Sequence, residues 1–347
     1  MSRDYPTIRE SLLYETLSKG KVKCGLCERG CTVSPDRRGY CKTRKNIDGK
    51  LYTLTYGDIS AFESRPIEIK PFFHFYPGSR ALTFSTWSCN FSCPWCQNHH
   101  LSKIEPDPTS PNYISPEFMV KEAIRQGDNG LCVSFTEPTM LFEYSLDAFR
   151  IAKENGLYTC YVSNGYLTLK ALHVLKESGM DAIKIDMKGD SEVYKRYCGG
   201  VKVEKVWRNA RRAKEAGMHV EIVNLVITGV NDDEDCLMGI IERHLNELGP
   251  ETPLHFTRYY PAFKFTEPQT KVETLENAYN LAKGAGVLFP YLGNVPGHRY
   301  ENTYCPNCGE LLINRFSYGV LRYNITKDKR CPKCGNTIPI TGGYIKK

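Results

Sequence analysis

The sequence predicts an α/β fold: a partial (β/α)6 barrel with a cysteine-rich module at each end. Two observations carry this reading. From residue 81 to about 295, short apolar runs alternate with helical stretches, the pattern of parallel strands joined by helical crossovers. Eleven of the fifteen cysteines fall in three tight clusters, one inside this region and one on each side of it. A chain of 347 residues is long enough for one such barrel with appendages. The expected division is 1–80 for the N-terminal cysteine-rich module, 81–298 for the barrel core and 299–347 for the C-terminal module.

The candidate strands are Ala81–Trp87, Gly130–Thr136, Tyr158–Val162, Ala182–Met187, His219–Ile227 and Pro253–Arg258, and Gly286–Tyr291 is a candidate extension. Helical stretches between them include Pro116–Gln126, Leu167–Ser178, Val206–Ala216 and Asp232–Leu248. The segment Lys103–Pro116 carries four prolines and reads as an irregular loop. In sheets of this kind the loops after the strand C-termini carry the chemistry. The first cysteine loop follows strand 1, Thr136-Glu137-Pro138 follows strand 2 and Ser163-Asn164-Gly165 follows strand 3. Asp186-Met187-Lys188 ends strand 4, Thr228-Gly229 follows strand 5 and Arg258 ends strand 6.

Cys89, Cys93 and Cys96 are spaced C-x3-C-x2-C on one tight loop. Three thiolates so placed can each bind one iron of a [4Fe–4S] cubane and leave the fourth iron open to a ligand. Trp95, just before the last cysteine, is positioned to shield the cluster and pack on a bound cofactor. The bland alternative is a zinc knuckle completed by His99 or His100. Cys305-Pro-x-Cys308-Gly and Cys331-Pro-x-Cys334-Gly, 22 residues apart, form two knuckles suited to a tetrahedral four-cysteine site, a zinc-ribbon-like module. Zinc is the expected metal, with rubredoxin-type iron the alternative. Cys24, Cys27, Cys31 and Cys41 are less regular, and either zinc or a second iron–sulfur cluster suits four thiolates. Cys132, Cys160, Cys198 and Cys236 remain as singles; Cys198, before Gly199-Gly200, reads as a small core residue, with a radical relay or methyl acceptor the alternative.

No apolar run is long enough to span a bilayer. The stretch Met1–Arg9 is polar with no signal-peptide core, so the chain reads as cytoplasmic, where clustered cysteines bind metals rather than form disulfides. The formal charge of +7 is no strong polyanion signal. A zinc held by four thiolates carries about −2 and a [4Fe–4S]2+ cluster held by three about −1, so filling all three sites leaves only about +2. The basic residues concentrate at the ends: residues 1–80 hold 15 Lys/Arg against 9 Asp/Glu, and residues 299–347 hold 9 against 3.

The cysteine triad, Trp95 and six βα repeats together resemble the radical S-adenosylmethionine (SAM) superfamily. More narrowly, the chain resembles the radical SAM member of the AmmeMemoRadiSam system, a relative of pyruvate formate-lyase-activating enzymes. The resemblance runs through Tyr52–Gly57, Pro66–Pro71, His74–Ser79, Ser88–Asn98, Thr136–Thr139, Asn231–Asp233 and Gly293–His298 to the C-terminal knuckles. It implies that SAM chelates the open iron and is cleaved reductively to a 5′-deoxyadenosyl radical, which abstracts hydrogen from a substrate. It also implies a SAM pocket at the strand ends. Thr136 and Glu137 stand where relatives hold the SAM ammonium with a glycine-rich motif, although Ser-Phe-Thr-Glu-Pro replaces the glycine pair here. Ser163 and Asn164 fall where the SAM carboxylate or ribose binds, Asp186 and Lys188 near ribose or substrate, and Val226–Gly229 near adenine.

The expected function is hydrogen abstraction from a macromolecule, a protein by analogy with the activases. The expected reductant is a ferredoxin or flavodoxin, with other proteins of the AmmeMemoRadiSam system as candidate partners. Two alternatives stand beside it: an RNA-modifying radical SAM enzyme, and a non-catalytic iron–sulfur scaffold or electron carrier. The sequence singles out no catalytic side chain beyond the cofactor ligands.

Overall fold

The computed structural model describes residues 5–346, so Met1–Asp4 of the polar N-terminal stretch and Lys347 lie outside the described residues. The main sheet consists of β1 (Ala61–Pro66), β2 (Arg80–Ser85), β3 (Gly130–Val133), β4 (Tyr158–Ser163), β5 (Ala182–Met187), β6 (His219–Val226), β7 (Leu254–Arg258) and β8 (Pro290–Gly293). Its strands are hydrogen-bonded in chain order. β2, β3 and β4 pair in parallel with Ala81, Gly130 and Tyr158 in register, and β6, β7 and β8 with Ile222, Leu254 and Pro290.

Six of these strands are the expected barrel strands. β8 lies four residues beyond the start expected for it. β1 was not expected, because none of its six residues is fully buried and it reads as polar; it is an edge strand ending in Pro66. The first barrel strand is shorter than Ala81–Trp87 because the ladder stops at Ser85 and Ser88 turns to a φ of 71° just before Cys89.

The helices start where local chemistry satisfies their free N–H groups. In α1 (Pro116–Arg125), Ser115 Oγ accepts from the Phe118 N–H at 3.2 Å, and Pro116 fills the first helical position. Thr168 caps α3 (Leu169–Glu177), and Asp233 caps α5 (Glu234–Leu248) at 2.9 Å; each such cap contributes about 1 kcal/mol. α2 (Phe142–Glu154), α4 (Val203–Glu215) and α6 (Val272–Ala285) complete the set of long helices.

Contacts group the chain into two units. The first contains the described residues up to Ser64 and Ala81–Ile183: the cysteine-rich module and the first barrel strands. Two small three-stranded sheets build the module. One orders Tyr14–Thr16, Val22–Cys24 and Thr32–Val33, and the other Arg9–Glu10, Lys50–Thr53 and Arg44–Ile47. The barrel core of this unit is dry: Leu131, Cys132, Val133, Cys160 and Tyr161 are fully buried. Gly130 is required there, since a Cβ would lie 2.1 Å from the Tyr158 ring.

The second unit contains Arg65–Arg80 and the described residues from Lys184 onward. Its C-terminal part is an antiparallel sheet of Thr303–Tyr304, Leu311–Phe316 and Gly319–Tyr323. A cluster including Phe73, Phe289, Tyr291, Leu312, Ile313 and Ile338 packs beneath it.

Candidate active site

The loop after β2 carries Cys89, Cys93 and Cys96, with Cys93 buried and the other two half-buried. Lys103 Nζ donates to the Phe91 carbonyl at 3.1 Å and Arg29 Nε to the Asn90 carbonyl at 2.6 Å, fixing the loop from two sides. Two N–H groups approach the Cys89 sulfur: the Phe91 amide at 3.3 Å and Asn164 Nδ2 at 3.9 Å. Cys96 Sγ lies 3.1 Å from Ser102 Oγ. Burial first, and then the nearby Glu137 carboxylate, pushes the Cys89 thiol up to about 12. Such a thiol ionises only when a cation arrives beside it. Trp95 is buried, with 3% of its surface exposed.

The strand ends beside this loop are set by one carboxylate. Glu137 is buried, and its Oε1 accepts from Thr139 N (3.1 Å), Thr139 Oγ1 (2.5 Å) and Ser163 Oγ (2.8 Å). Its Oε2 accepts from the Asn164 N–H at 2.8 Å. Burial raises its pKa, while the Thr139, Asn164 and Ser163 donors pull it back. All four donors come from the chain, so the carboxylate fixes the Ser163-Asn164 turn after β4. Asn164 then donates to Asn90 Oδ1 at 2.8 Å and accepts from the Tyr166 N–H at 3.0 Å, which aims its amide at the triad loop. Thr136 is buried, its hydroxyl donating to the Thr86 carbonyl at 2.9 Å. Phe135 has a φ of 62°, the left-handed region that favours glycine. Asn98 Nδ2 donates to the Phe135 carbonyl at 2.7 Å, holding this conformation.

In the second unit, the end of β5 places Asp186 between Lys184, which pairs closely with it, and Lys188 Nζ at 3.4 Å. Burial opposes ionisation of Asp186, but the two ammonium groups prevail and lower its pKa. Asn231 anchors this edge: Nδ2 donates to the Lys188 and Leu225 carbonyls, and Oδ1 accepts from the Ile227 N–H at 2.6 Å.

Sequence reasoning missed the buried Glu221. Its carboxylate accepts from the Phe73 and His74 N–H groups at 3.0 and 2.8 Å and meets His219 Nε2 at 2.9 Å and His255 Nε2 at 2.7 Å. His255 is thus a buried partner of Glu221. The alternation His219-x-Glu221 on β6 signals one shared face, but only the fold brings His255 to it. Cys198 is fully buried, as a core residue.

The two four-cysteine sets differ. The Cys305, Cys308, Cys331 and Cys334 sulfurs all lie within 4.8 Å of one another, and among the described residues no other three such ligand atoms gather so closely. Cys305 and Cys334 are 3.5 Å apart, and Cys308 and Cys331 3.7 Å. Tetrahedral zinc with Zn–S bonds of about 2.3 Å sets sulfurs about 3.8 Å apart, so this set fits one metal ion. Cys24, Cys27, Cys31 and Cys41 instead line one apolar cavity with Leu26, Met140 and Arg44.

The Radical SAM superfamily profile matches residues 85–238, from the end of β2 into α5. An uncharacterized protein of Methanocaldococcus jannaschii is 42% identical over 335 residues, covering 96% of this chain and 99% of that protein. Pyruvate formate-lyase 1-activating enzyme of Escherichia coli K12 is 25% identical over 167 residues, 46% of this chain and 65% of that enzyme. Among solved structures, a domain of pyruvate-formate lyase-activating enzyme from Bacteroides vulgatus shares 20% identity at a TM-score of 0.41, covering 48% of this chain and 99% of that one. No described helix is long and apolar enough to cross a membrane. The three-cysteine loop after the first barrel strand, in a region that matches this profile, leads to one conclusion: the chain is an enzyme of the radical SAM superfamily, related to the pyruvate formate-lyase-activating enzymes.

Proposed function

We propose that Cys89, Cys93 and Cys96 hold a [4Fe–4S] cluster, that SAM binds against it, and that the enzyme abstracts hydrogen from a protein substrate. The observation that carries this is the aim of Asn164: a buried carboxylate, Glu137, fixes the turn that points its amide at Cys89 and Asn90. When bound, the cluster and SAM supply one-electron cleavage of the sulfonium, chemistry that no side chain performs. The chain's own groups bind and orient. The Phe91 N–H and the Asn164 amide stabilise negative charge on the Cys89 sulfur, an outer-shell influence that tunes such a ligand. Trp95 and the buried thiol of Cys93 keep water from the loop. In the second unit, Asp186 is held ionised by Lys184 and Lys188 and offers acceptor oxygens to a hydroxyl ligand. A ferredoxin or flavodoxin supplies the electron. The C-terminal thiols hold zinc as a structural ion.

The test is anaerobic reconstitution with iron and sulfide, followed by SAM and dithionite. 5′-Deoxyadenosine should form, and SAM should perturb the EPR spectrum of the reduced cluster. Both signals should vanish in Cys93→Ala. Absence of both from the reconstituted wild-type chain would sink the reading.

A further inference from the structure

The N-terminal cysteines are not explained by the triad chemistry, and their surroundings are unusual. Cys24, Cys27 and Cys41 are buried and Cys31 half-buried, and all four line one apolar cavity. A fully buried guanidinium, Arg44, lines the same cavity, its side chain 1% exposed. Its Nη1 is used, donating to Glu143 Oε1 at 2.7 Å and Ser11 Oγ at 2.9 Å. Its Nε and Nη2 have no hydrogen-bond partner. Unsatisfied donors on a buried cation are costly unless an anion faces them. Four thiolates around a metal centre are such an anion.

The size of that centre follows from the sulfurs. The C-terminal thiols already stand at the spacing of a single tetrahedral ion, whereas the N-terminal thiols, also described, are not gathered within 4.8 Å of one another although they face one cavity. A cubane spreads its four cysteine ligands over four separate irons, so its sulfurs stand farther apart than those of one zinc. Position adds a role. Ser88 Oγ donates to the Cys41 carbonyl at 2.7 Å, and Arg29 Nε to the Asn90 carbonyl at 2.6 Å. Ser88 directly precedes Cys89, so one hydrogen bond and one peptide link join a ligand residue of each set.

We propose that Cys24, Cys27, Cys31 and Cys41 bind a second [4Fe–4S] cluster that passes electrons to the triad cluster through the Ser88–Cys41 hydrogen bond. The site itself stands on its own residues; the relay role rests on the triad reading above. In the relay, a low-potential one-electron protein donor reduces the N-terminal cluster from 2+ to 1+. That cluster then reduces the triad cluster from 2+ to 1+ and returns to 2+. No bond of the protein forms or breaks.

The full-length chain, reconstituted anaerobically with iron and sulfide, tests this by iron, sulfide and zinc content and by EPR after dithionite. The wild type should hold two cubanes per chain and show a reduced spectrum broadened by coupling between two spins. The triple variant Cys89→Ala/Cys93→Ala/Cys96→Ala should keep half the iron and sulfide, with a signal indifferent to SAM. Cys24→Ser/Cys27→Ser should keep the other half, with a signal that SAM perturbs. It should still form 5′-deoxyadenosine with dithionite but lose more than an order of magnitude in rate with reduced flavodoxin. One cubane and two zinc ions per wild-type chain would overturn the second cluster whether or not either variant folds, as would a triple variant without iron. Equal flavodoxin-driven rates in the wild type and the Cys24→Ser/Cys27→Ser variant would overturn the relay alone. Iron retained in the triple variant, with no 5′-deoxyadenosine from the wild type, would uphold the second site while the triad reading fails.

Discussion

The two four-cysteine sets begin from similar sequence material and end in different physical settings. The C-terminal knuckles sit in a small antiparallel module, with Cys334 exposed and the four sulfurs already converged. The N-terminal thiols lie mostly buried behind a closed ion pair, facing a guanidinium rather than water. A converged set in a small module behaves as a clasp. A buried, spread set with a compensating cation behaves as a socket for something larger. Cysteine spacing alone does not separate the two; what surrounds the sulfurs does.

The largest expected effect tests the clasp. Replacing Cys331 with Ser should release one zinc per chain and unfold the C-terminal sheet, because structural zinc sites contribute about 10–16 kcal/mol to small modules. Metal analysis and limited proteolysis across 303–340 would read this, with iron content unchanged. A module that stays protease-resistant without its metal would break the distinction.

The next effect tests the socket. Arg44→Met removes one partner of an ion pair whose side chains are 1% and 8% exposed, leaving Glu143 charged and buried. A loss of about 3–5 kcal/mol in denaturant unfolding is expected. Arg44→Met/Glu143→Met should recover much of it. A cost below about 1 kcal/mol would mean that Arg44 behaves as a surface pair and that the socket's charge balance lies elsewhere.

A smaller effect separates the units by pH. In the second unit, burial first, partly offset by the Thr252 carbonyl, pushes the His244 imidazole down to about 4 from 6.5. Between those values the unfolded chain takes up a proton that the folded chain refuses. Acidification through this window therefore favours unfolding, by up to roughly 3 kcal/mol. His244→Gln, which keeps a donor for the Thr252 carbonyl, should flatten the stability–pH profile from pH 6.5 to 4. An unchanged slope would assign the acid sensitivity to other groups.

Much of the barrel was legible because strand–helix alternation is a local pattern. β3 to β7 appear close to where apolar runs place them, and Ser115, Thr168 and Asp233 mark helix starts by their own side chains. β1 was not legible, since an edge strand with no fully buried residue carries no strong apolar signal. The site was legible as residue types at strand ends, but not as roles. Glu137 reads from sequence as a SAM contact, yet the structure surrounds it with donors from Thr139, Ser163 and Asn164. Glu221 gave no signal beyond the local His219-x-Glu221 alternation, because its partners His74 and His255 are 147 and 34 residues away.

The sequence by itself determined the chemistry on offer: three thiols on one loop, two further sets of four, and polar residues at the ends of βα strands. These depend on spacing within a few residues, which the covalent chain fixes. Only the tertiary structure decided which thiols converge, which face a buried cation, and which serine ties Cys41 to the triad loop. Burial and long-range pairing set those outcomes, because the cost of an unpaired charge or donor exists only once the fold has removed the water that would have satisfied it.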